Sequence, residues 1–435
     1  MNPVKSDASW PLPVVEPEEV GFCPERLSRI GPIMQGFIDR QKVPHLITLI
    51  ARHGKIVHYE ARGYMDIETK KPVKKDTIVR LWSNSKPIAG VATMICFEEG
   101  KLALQQPVSR YLPSFKNQVV KVFDASVGQR RRGGDGRGSP MMMVPTEPVH
   151  REMTISDLLR NTTGLASAGR TPIQYLNQYH EQIEDAGLLS PLASRVEDIR
   201  KQVDALGKLP LDYHPGTVFQ YHVGYPVLGV ILEMVTGKTL EEFYQERIFK
   251  PLGMKDSSFY LPKEKIDRFP VCYRPVQENG EWKLAVADRP ETSTKVVGPK
   301  TFCCPGGGDG GVLSTIADYA RFTQMLLNGG ELDGVRILGR KTVELMTRSH
   351  TGDIPTIEGP GFGFGMGVGV RTPGGIERMR SIGAYGWGGA AGTTYFADPK
   401  EDFIAICFTQ LFMAKMVPET NYEAEFDRAI YNSLT

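Results

Sequence analysis

The 435-residue sequence lacks several patterns by which whole classes of protein are recognised. Its six cysteines include no CxxC pair, so we expect reduced, mostly buried thiols and neither a zinc site nor a disulfide framework. No apolar run reaches the length of a membrane span, and the N-terminus has acidic and Pro-rich stretches where a secretory leader would have its apolar core. These absences predict a soluble, cytoplasmic protein without a membrane partner.

An excess of charge of one sign is also lacking. Lysine and arginine number 52 against 50 aspartates and glutamates, and the net charge of +2 is too near zero to indicate a nucleic-acid partner. One local exception is the run of arginines and glycines at 127–140, which could be an RNA-binding segment. Because this run is short and isolated, we interpret it as a surface loop.

Motifs of several common enzyme classes are missing. No G-x-S-x-G occurs, which excludes the nucleophile elbow of α/β-hydrolases, and no histidine has a setting that predicts a catalytic triad. No spacing of histidine and glutamate predicts a metal site. The run GFGFGMGVGV at 361–370 lacks the G-x-G-x-x-G order of a dinucleotide loop, and its alternation predicts a strand packed closely by a neighbour. We expect neither a metal nor a cofactor.

Hydrophobic periodicity places helices and strands along much of the chain. Two β-rich runs separated by His53-Gly54-Lys55 predict an antiparallel hairpin. The segment from Lys86 to Glu99 is apolar around its whole circumference, which predicts a helix buried at the centre of the protein. The predicted helices cover 24–40, 86–99 and 422–434, and the predicted strands lie near 46–52, 56–61, 361–370, 382–386, 393–397 and 403–408.

The order of these elements predicts the architecture. Strands occur towards both ends of the chain and a helical pattern fills the middle, which indicates an α+β fold with one antiparallel sheet built from both termini. We expect a single catalytic domain over 1–435, in which helices flank the sheet and a helical lobe is inserted. The α/β lobe would cover about 20–111 and 301–435 and the helical lobe about 112–300, with a cleft between them.

The stretch LWSNSKPIAG at 81–90 contains the candidate nucleophile. Ser83 and Lys86 are three residues apart at the start of the predicted buried helix, so their side chains share a face and Ser83 lies at the helix N-terminus. A serine hydroxyl needs an adjacent base, and a lysine serves when desolvation lowers its pKa. The alternative is a helix-capping serine with a solvated lysine. This is the only S-x-x-K in the chain, and its helix is too apolar for a surface helix, which favours catalysis.

Several segments resemble one enzyme superfamily. The segment DTIVRLWSNSKPI at 76–88 is similar to the nucleophile segment of class C β-lactamases and their esterase relatives. The likeness runs from about Val20 to the C-terminus. Trp387-Gly388-Gly389, where β-lactamases have Lys-Thr-Gly, most resembles the family VIII carboxylesterases of the serine β-lactamase and penicillin-binding protein superfamily. The resemblance implies the serine β-lactamase-like fold. Further similar segments are 153–165, 214–243, 248–254, 306–330 and 386–393.

The resemblance also implies the second and third motifs of the site. Tyr221 stands where the second motif begins, and could take the Ser83 proton and pass it to the leaving group. Tyr175 fits the literal Tyr-x-Asn pattern better but lacks the family's flanking residues, so Tyr221 is the predicted catalytic tyrosine. After the third motif, Ala390 would give its backbone N–H to an oxyanion hole shared with the N–H of Ser83.

Aromatic residues beside these motifs predict an apolar pocket. Trp82, Phe219, Tyr385 and Trp387 adjoin motif residues in sequence and could line an acyl or alcohol pocket together with Gly388 and Gly389. Such a pocket favours a small-molecule ester over a charged peptide.

The implied activity is cleavage of carboxylic esters through an acyl-enzyme intermediate on Ser83, with Lys86 and Tyr221 as the base. A β-lactamase or D-amino-acid peptidase would share these catalytic residues but usually keeps the motif lysine. An acyltransferase of the kind that acylates polyketide alcohols differs only in the acceptor of the acyl group. A non-catalytic scaffold on this fold is a further alternative, against which the intact catalytic set argues.

Overall fold

The structure is a computed structural model that describes residues 11–122, 145–166, 199–221, 224–296, 304–307, 311–375 and 379–435. The predictions for the insert 127–140 and for Tyr175 lie outside these residues. The helices are α1 (Pro24–Leu27), α2 (Ile30–Asp39), α3 (Ser85–Glu98), α4 (Ile155–Leu159), α5 (Ile199–Lys208), α6 (Gly224–Thr236), α7 (Leu240–Tyr244), α8 (Ile316–Leu327), α9 (Arg340–Thr347) and α10 (Tyr422–Tyr431). The strands are β1 (His45–Arg52), β2 (Lys55–Asp66), β3 (Lys71–Pro72), β4 (Val79–Arg80), β5 (Val119–Lys121), β6 (Thr146–Pro148), β7 (Cys272–Glu278), β8 (Glu281–Asp288), β9 (Leu313–Ser314), β10 (Glu331–Leu332), β11 (Val335–Arg336), β12 (Phe362–Phe364), β13 (Gly369–Arg371), β14 (Tyr385–Gly388), β15 (Thr394–Asp398) and β16 (Phe403–Phe408).

An eight-stranded antiparallel sheet organises the molecule. Its strand order is β12-β13-β14-β15-β16-β1-β2-β3, so the N-terminal hairpin pairs directly with the last strand of the chain. The junction aligns Ile50 of β1 with Ala405 of β16. The predicted α+β class, with a sheet built from both terminal regions and flanked by helices, is confirmed.

Helices cover both faces of this sheet. On one face α1, α2 and α10 pack around a core that includes Phe37, Phe403 and Phe426. On the other face α8 packs against the sheet, and α3 lies in the same core, where it contacts α6 and α9. Every residue of α3 from Ser85 to Cys96 is buried, as its uninterrupted apolar pattern predicts.

The glycine-rich run at 361–370 is not the single strand that its alternation predicts. It forms the hairpin of β12 and β13, in which Phe364 pairs with Gly369. The turn needs Gly367 in the left-handed region, at φ 95°. A Cβ on Gly90 of α3 would lie 2.3 Å from the carbonyl oxygen of Met366, so the hairpin tip contacts α3 backbone to backbone. The alternating pattern runs through the turn, which is why periodicity alone misses it.

The middle of the chain is less uniformly helical than its pattern predicts. Besides α4 to α7, its described residues contain the two-stranded ribbons β5–β6 and β7–β8. Across the described residues, no helix combines the length and the apolar character needed to cross a membrane.

Candidate active site

The chain turns sharply at Ser83. A 3₁₀ turn over Trp82–Asn84 precedes α3, which begins at Ser85, so Ser83 stands just before the helix and not on it. Trp82 adopts φ 50°, a left-handed conformation that is unusual for a bulky residue and often marks a functional site. A Cβ on Gly307 would lie 2.0 Å from the Trp82 carbonyl oxygen, so the neighbouring loop supports this turn directly.

Lys86 lies fully buried beneath Ser83. Its Nζ donates hydrogen bonds to Oγ of Ser83 at 2.9 Å and to the carbonyl oxygen of Gly306 at 2.6 Å. Burial lowers the pKa of Lys86 to about 7, against a smaller opposing effect of Cys304. A lysine with such a pKa is substantially neutral at neutral pH and can accept a proton from the serine it contacts.

Tyr221 completes a compact set with these two residues. Its hydroxyl shares a hydrogen bond with Ser83, and its Oη accepts a hydrogen bond from Nε1 of Trp387 at 2.7 Å. Nζ of Lys86 lies 4.5 Å from the centroid of the Tyr221 ring. Burial raises the pKa of Tyr221, so its resting form is the neutral phenol, which can donate as well as accept a proton.

The end of β14 lies against the nucleophile segment. A Cβ on Gly389 would fall 2.2 Å from the carbonyl oxygen of Leu81, and Oγ1 of Thr393 donates to the same carbonyl at 2.9 Å. Only a glycine permits this approach. The two contacts bring Ala390 and Ser83, the predicted oxyanion-hole residues, to the wall of one cavity.

This cavity has a volume of about 300 Å³. Of the predicted residues, the following line it: Ser83, Tyr221, Tyr385, Trp387, Gly388, Gly389 and Ala390. Lys86 lies below, in contact with Ser83.

Two of the predicted pocket residues do not line the cavity. Trp82 packs on Phe412 with ring centroids 4.9 Å apart, and Phe219 is buried with its ring 5.4 Å from that of Phe364. The prediction used adjacency in sequence, which does not fix the direction of a side chain. Phe219 therefore supports Tyr221, with which it stacks, instead of facing the substrate.

Charged residues that the sequence reasoning missed also line the cavity, and we call them its charged wall. Arg380 is paired with Asp427 through two hydrogen bonds, of 2.6 and 2.9 Å. Arg371 donates to the carbonyl oxygens of three residues of its own hairpin region, Gly361, Thr372 and Gly374. Glu358 and Glu423 lie on the same wall, and burial raises the pKa of Glu423. These residues belong to no motif; charges flanking the glycine-rich hairpin and opening the last helix were the available signal.

Comparison with known proteins identifies the family. A family model described as Beta-lactamase matches residues 31–428. Protein Rv1367c of Mycobacterium tuberculosis (strain ATCC 25618 / H37Rv) is 31% identical over 376 residues, which cover 84% of this chain and 85% of that protein. Esterase EstB of Burkholderia gladioli is 26% identical over 381 residues, which cover 85% of this chain and 87% of the esterase.

Solved structures share the fold. EstCE1, described as a hydrolase with promiscuous acyltransferase activity, superposes with a TM-score of 0.73 at 24% identity and covers 94% of this chain and 99% of its own. Unliganded simvastatin synthase (LovD) from Aspergillus terreus gives a TM-score of 0.70 at 20% identity and covers 94% of this chain and 98% of its own. The family match over most of the chain and the shared fold confirm the resemblance noted in the sequence: the chain belongs to the β-lactamase family, within the serine β-lactamase and penicillin-binding protein superfamily.

Proposed function

We propose that the protein is a family VIII carboxylesterase, which cleaves simple carboxylic esters through an acyl-enzyme intermediate on Ser83. The observation that carries the proposal is the contact of a buried Lys86, with its lowered pKa, to Oγ of Ser83 in a cavity whose third motif presents Trp387 and no cation. The similarity to esterase EstB supports the same substrate class.

Acylation uses the three contacting side chains. Lys86 takes the Ser83 proton as Oγ forms a bond to the ester carbonyl carbon, and the tetrahedral oxyanion binds the backbone N–H groups of Ser83 and Ala390. The carbon–oxygen bond of the leaving group then breaks. Tyr221, a neutral phenol beside Ser83, gives its proton to the departing alkoxide and regains one from Lys86. The acyl group stays on Ser83.

Deacylation repeats the same proton path with water as the nucleophile. Tyr221 and Lys86 accept a proton from the water that attacks the acyl carbon, and they give it to Oγ of Ser83 as the bond between Oγ and the acyl carbon breaks. The acid leaves and the site is restored. Apart from the ester and water, each step uses only groups of the chain itself.

The cavity wall supports a neutral substrate. A carboxylate that loses a cationic partner forfeits charge-assisted hydrogen bonds worth about 1.5–3 kcal/mol. Arg380 is already committed to Asp427 and Arg371 to backbone carbonyls. When ionised, Glu358 and Glu423 would repel a substrate carboxylate. The largely exposed Lys415, 3.9 Å from Glu358, and Arg371, whose bonds to backbone carbonyls leave its positive charge in place, offset this repulsion, so the wall has no net positive charge that would attract a carboxylate.

A substrate screen tests the proposal against its rivals. Purified enzyme is assayed on p-nitrophenyl acetate and butyrate, nitrocefin and a D-alanyl-D-alanine peptide, with Ser83→Ala as control. We expect kcat/KM for the esters at least about 10-fold above that for nitrocefin, since 1.4 kcal/mol is a factor of ten. Added alcohols distinguish acyl transfer, which yields a new ester, from hydrolysis, which yields the acid. Preference for nitrocefin or the peptide would reject the esterase assignment, and full activity of Ser83→Ala would reject the mechanism.

A further inference from the structure

A second cluster of reactive side chains lies outside the cavity. Glu147, His150 and His214 place one carboxylate oxygen and two imidazole nitrogens within 4.8 Å of one another. None of the three lines the cavity that contains Ser83. Nε2 of His214 lies 3.1 Å from Oε1 of Glu147, and the two imidazole rings stack with centroids 3.6 Å apart. The ester chemistry proposed above uses none of these groups.

We propose that Glu147, His150 and His214 form a binding site for a divalent transition-metal ion such as Zn²⁺. Two imidazoles and a carboxylate are a ligand set that Zn²⁺ accepts, whereas Mg²⁺ prefers oxygen ligands alone. Tetrahedral zinc with bonds of about 2.1 Å separates its ligand atoms by about 3.4 Å. The ligand atoms must therefore move closer together before they can enclose an ion.

The backbone that carries the three ligands is already in place. Glu147 lies on β6 and pairs with Val120 of β5, and Val120 in turn bridges to Leu211, three residues before His214. A buried ion pair between Lys121 and Asp212, at 2.8 Å, joins the same two segments. The ligand positions are thus held by hydrogen bonds independent of any ion, which reduces the entropy lost on binding.

Only side-chain rotation separates the observed arrangement from a coordinating one. The two rings are parallel to within 9°, so their in-plane lone pairs do not yet converge on one point. Binding requires one ring to turn. His150 is exposed, so its turn gives up little more than the stacking contact. Nδ1 of His214 accepts a long 3.3 Å hydrogen bond from the N–H of His150, which is weak and easily released when Nε2 binds a metal.

Bound metal would brace the segment that leads to Tyr221. Between His214 and Tyr221 the chain is fixed at two points, where Gly216 donates to Thr162 at 2.7 Å and Gln220 donates to Asn161 at 2.6 Å. A metal bond at His214 adds a third anchor at the start of this segment. An ion that binds only the folded chain raises the stability of that fold.

The test measures binding and stability with no reference to esterase activity. Metal-free protein is titrated with Zn²⁺ and with Mg²⁺ by calorimetry, and Tm is measured with each ion. We expect the protein to bind one equivalent of Zn²⁺ and its Tm to rise with the Zn²⁺ concentration. Mg²⁺ should show no binding in the titration and should leave the Tm unchanged. X-ray absorption should show two imidazole ligands at about 2.0–2.1 Å.

Variants locate the ion. Loss of a ligand should weaken Zn²⁺ binding by more than roughly 10-fold, since even the loss of a group that only supports a ligand has an effect of that size. We expect this for each of His150→Ala, Glu147→Gln and His214→Ala. The matched control is His53→Ala. His53 is another surface histidine that pairs with a carboxylate, Asp402, at 2.7 Å, but this pair contains one imidazole and not two. Should His214→Ala fail to fold, the exposed His150 decides the question. The proposal is overturned if His150→Ala binds Zn²⁺ with unchanged affinity, as it would if the ion bound a thiol such as Cys23 instead. It is also overturned if His53→Ala loses as much affinity as the three variants.

Discussion

Nε1 of Trp387 donates a hydrogen bond to Oη of Tyr221 over 2.7 Å. The indole N–H occupies one acceptor site of the phenol oxygen, and the phenol also shares a hydrogen bond with Ser83. The same contact turns the apolar face of Trp387 along the cavity, where β-lactamases present a lysine. Under the proposed mechanism, Trp387 therefore orients Tyr221 and leaves the third motif without a cation for a substrate carboxylate.

Trp387→Phe tests the positioning role. The change keeps an aromatic ring but deletes the N–H, so we expect kcat for a p-nitrophenyl ester to fall about 10-fold, the scale of one hydrogen bond of about 1.4 kcal/mol. KM should change less than kcat. The control is Trp282→Phe, since Trp282 is exposed on β8. An unchanged kcat in Trp387→Phe would show that the hydrogen bond does not serve catalysis.

Tyr221→Phe tests the identity of the catalytic tyrosine. Loss of the hydroxyl should lower kcat by about 100-fold or more, as expected for general acid–base catalysis. Tyr175→Phe, which alters the competing Tyr-x-Asn match, should retain nearly normal activity. Steady-state kinetics on one ester compares the two variants. The reverse result would move the second motif to Tyr175.

The pH profile should report Lys86. Because its pKa is lowered to about 7 and only the neutral amine is a base, kcat/KM should rise with pH up to about 7 and then level off. Below that point activity should fall about 10-fold per pH unit. Lys86→Arg should be inactive throughout, since arginine stays protonated, whereas Lys101→Arg, at an exposed site, should follow the wild-type curve. A flat profile from pH 5 to 9 would contradict the assignment of Lys86 as the base.

Glu423→Gln tests the electrostatic selection against carboxylates. The assay is run at a pH above the raised pKa of Glu423, where this side chain is ionised. Removing its charge then changes the interaction with a substrate carboxylate by about 1 kcal/mol, so kcat/KM for nitrocefin should rise about 5-fold. Hydrolysis of a neutral ester should change less than about 2-fold, because the ester carries no charge that Glu423 could repel. Glu425→Gln, on the same helix but paired with Arg428, provides the control. Equal effects on both substrates would argue against charge selection.

Gly90→Ala tests the backbone contact under the active site. Its Cβ would lie 2.3 Å from the Met366 carbonyl oxygen, so we expect a loss of at least about 1–3 kcal/mol in the free energy of unfolding. Gly36→Ala is the matched helical control. There the new Cβ meets only the flexible side chain of Arg40, so the change should be neutral or stabilise by up to about 1 kcal/mol. Chemical denaturation measures both, and a neutral Gly90→Ala would refute the contact.

Local chemistry explains which parts of the structure the sequence predicts. Ser83 lies in the 3₁₀ turn that leads into α3, and Lys86 lies three residues later in the first turn of that helix, so their contact follows from local helical geometry. The sheet from both termini follows from apolar strands at each end. The Trp387–Tyr221 hydrogen bond joins residues 166 positions apart, and no local pattern encodes such a distance. The charged residues of the cavity wall could not be predicted for the same reason, because they come from separate segments of the chain.

Side-chain direction and turns account for the remaining errors. Trp82 and Phe219 adjoin catalytic residues in sequence, yet one packs on Phe412 and the other supports Tyr221. The strand predicted over 361–370 contains a turn at Gly367, where a glycine needed for positive φ is indistinguishable from a glycine of the alternating pattern.

The tip of the glycine hairpin and the charged wall of the cavity differ in their scope for variation. A Cβ on Gly367 would lie 2.6 Å from the carbonyl oxygen of Lys86, so the backbone of Lys86, the proposed base, packs against the main chain of the hairpin tip and leaves no room there for a side chain. The charged wall, in contrast, is built from side chains such as those of Glu358 and Glu423. Libraries designed to change the substrate preference should therefore randomise the charged wall and keep the hairpin tip. Substitutions in the wall can alter specificity without disturbing Ser83, Lys86 and Tyr221.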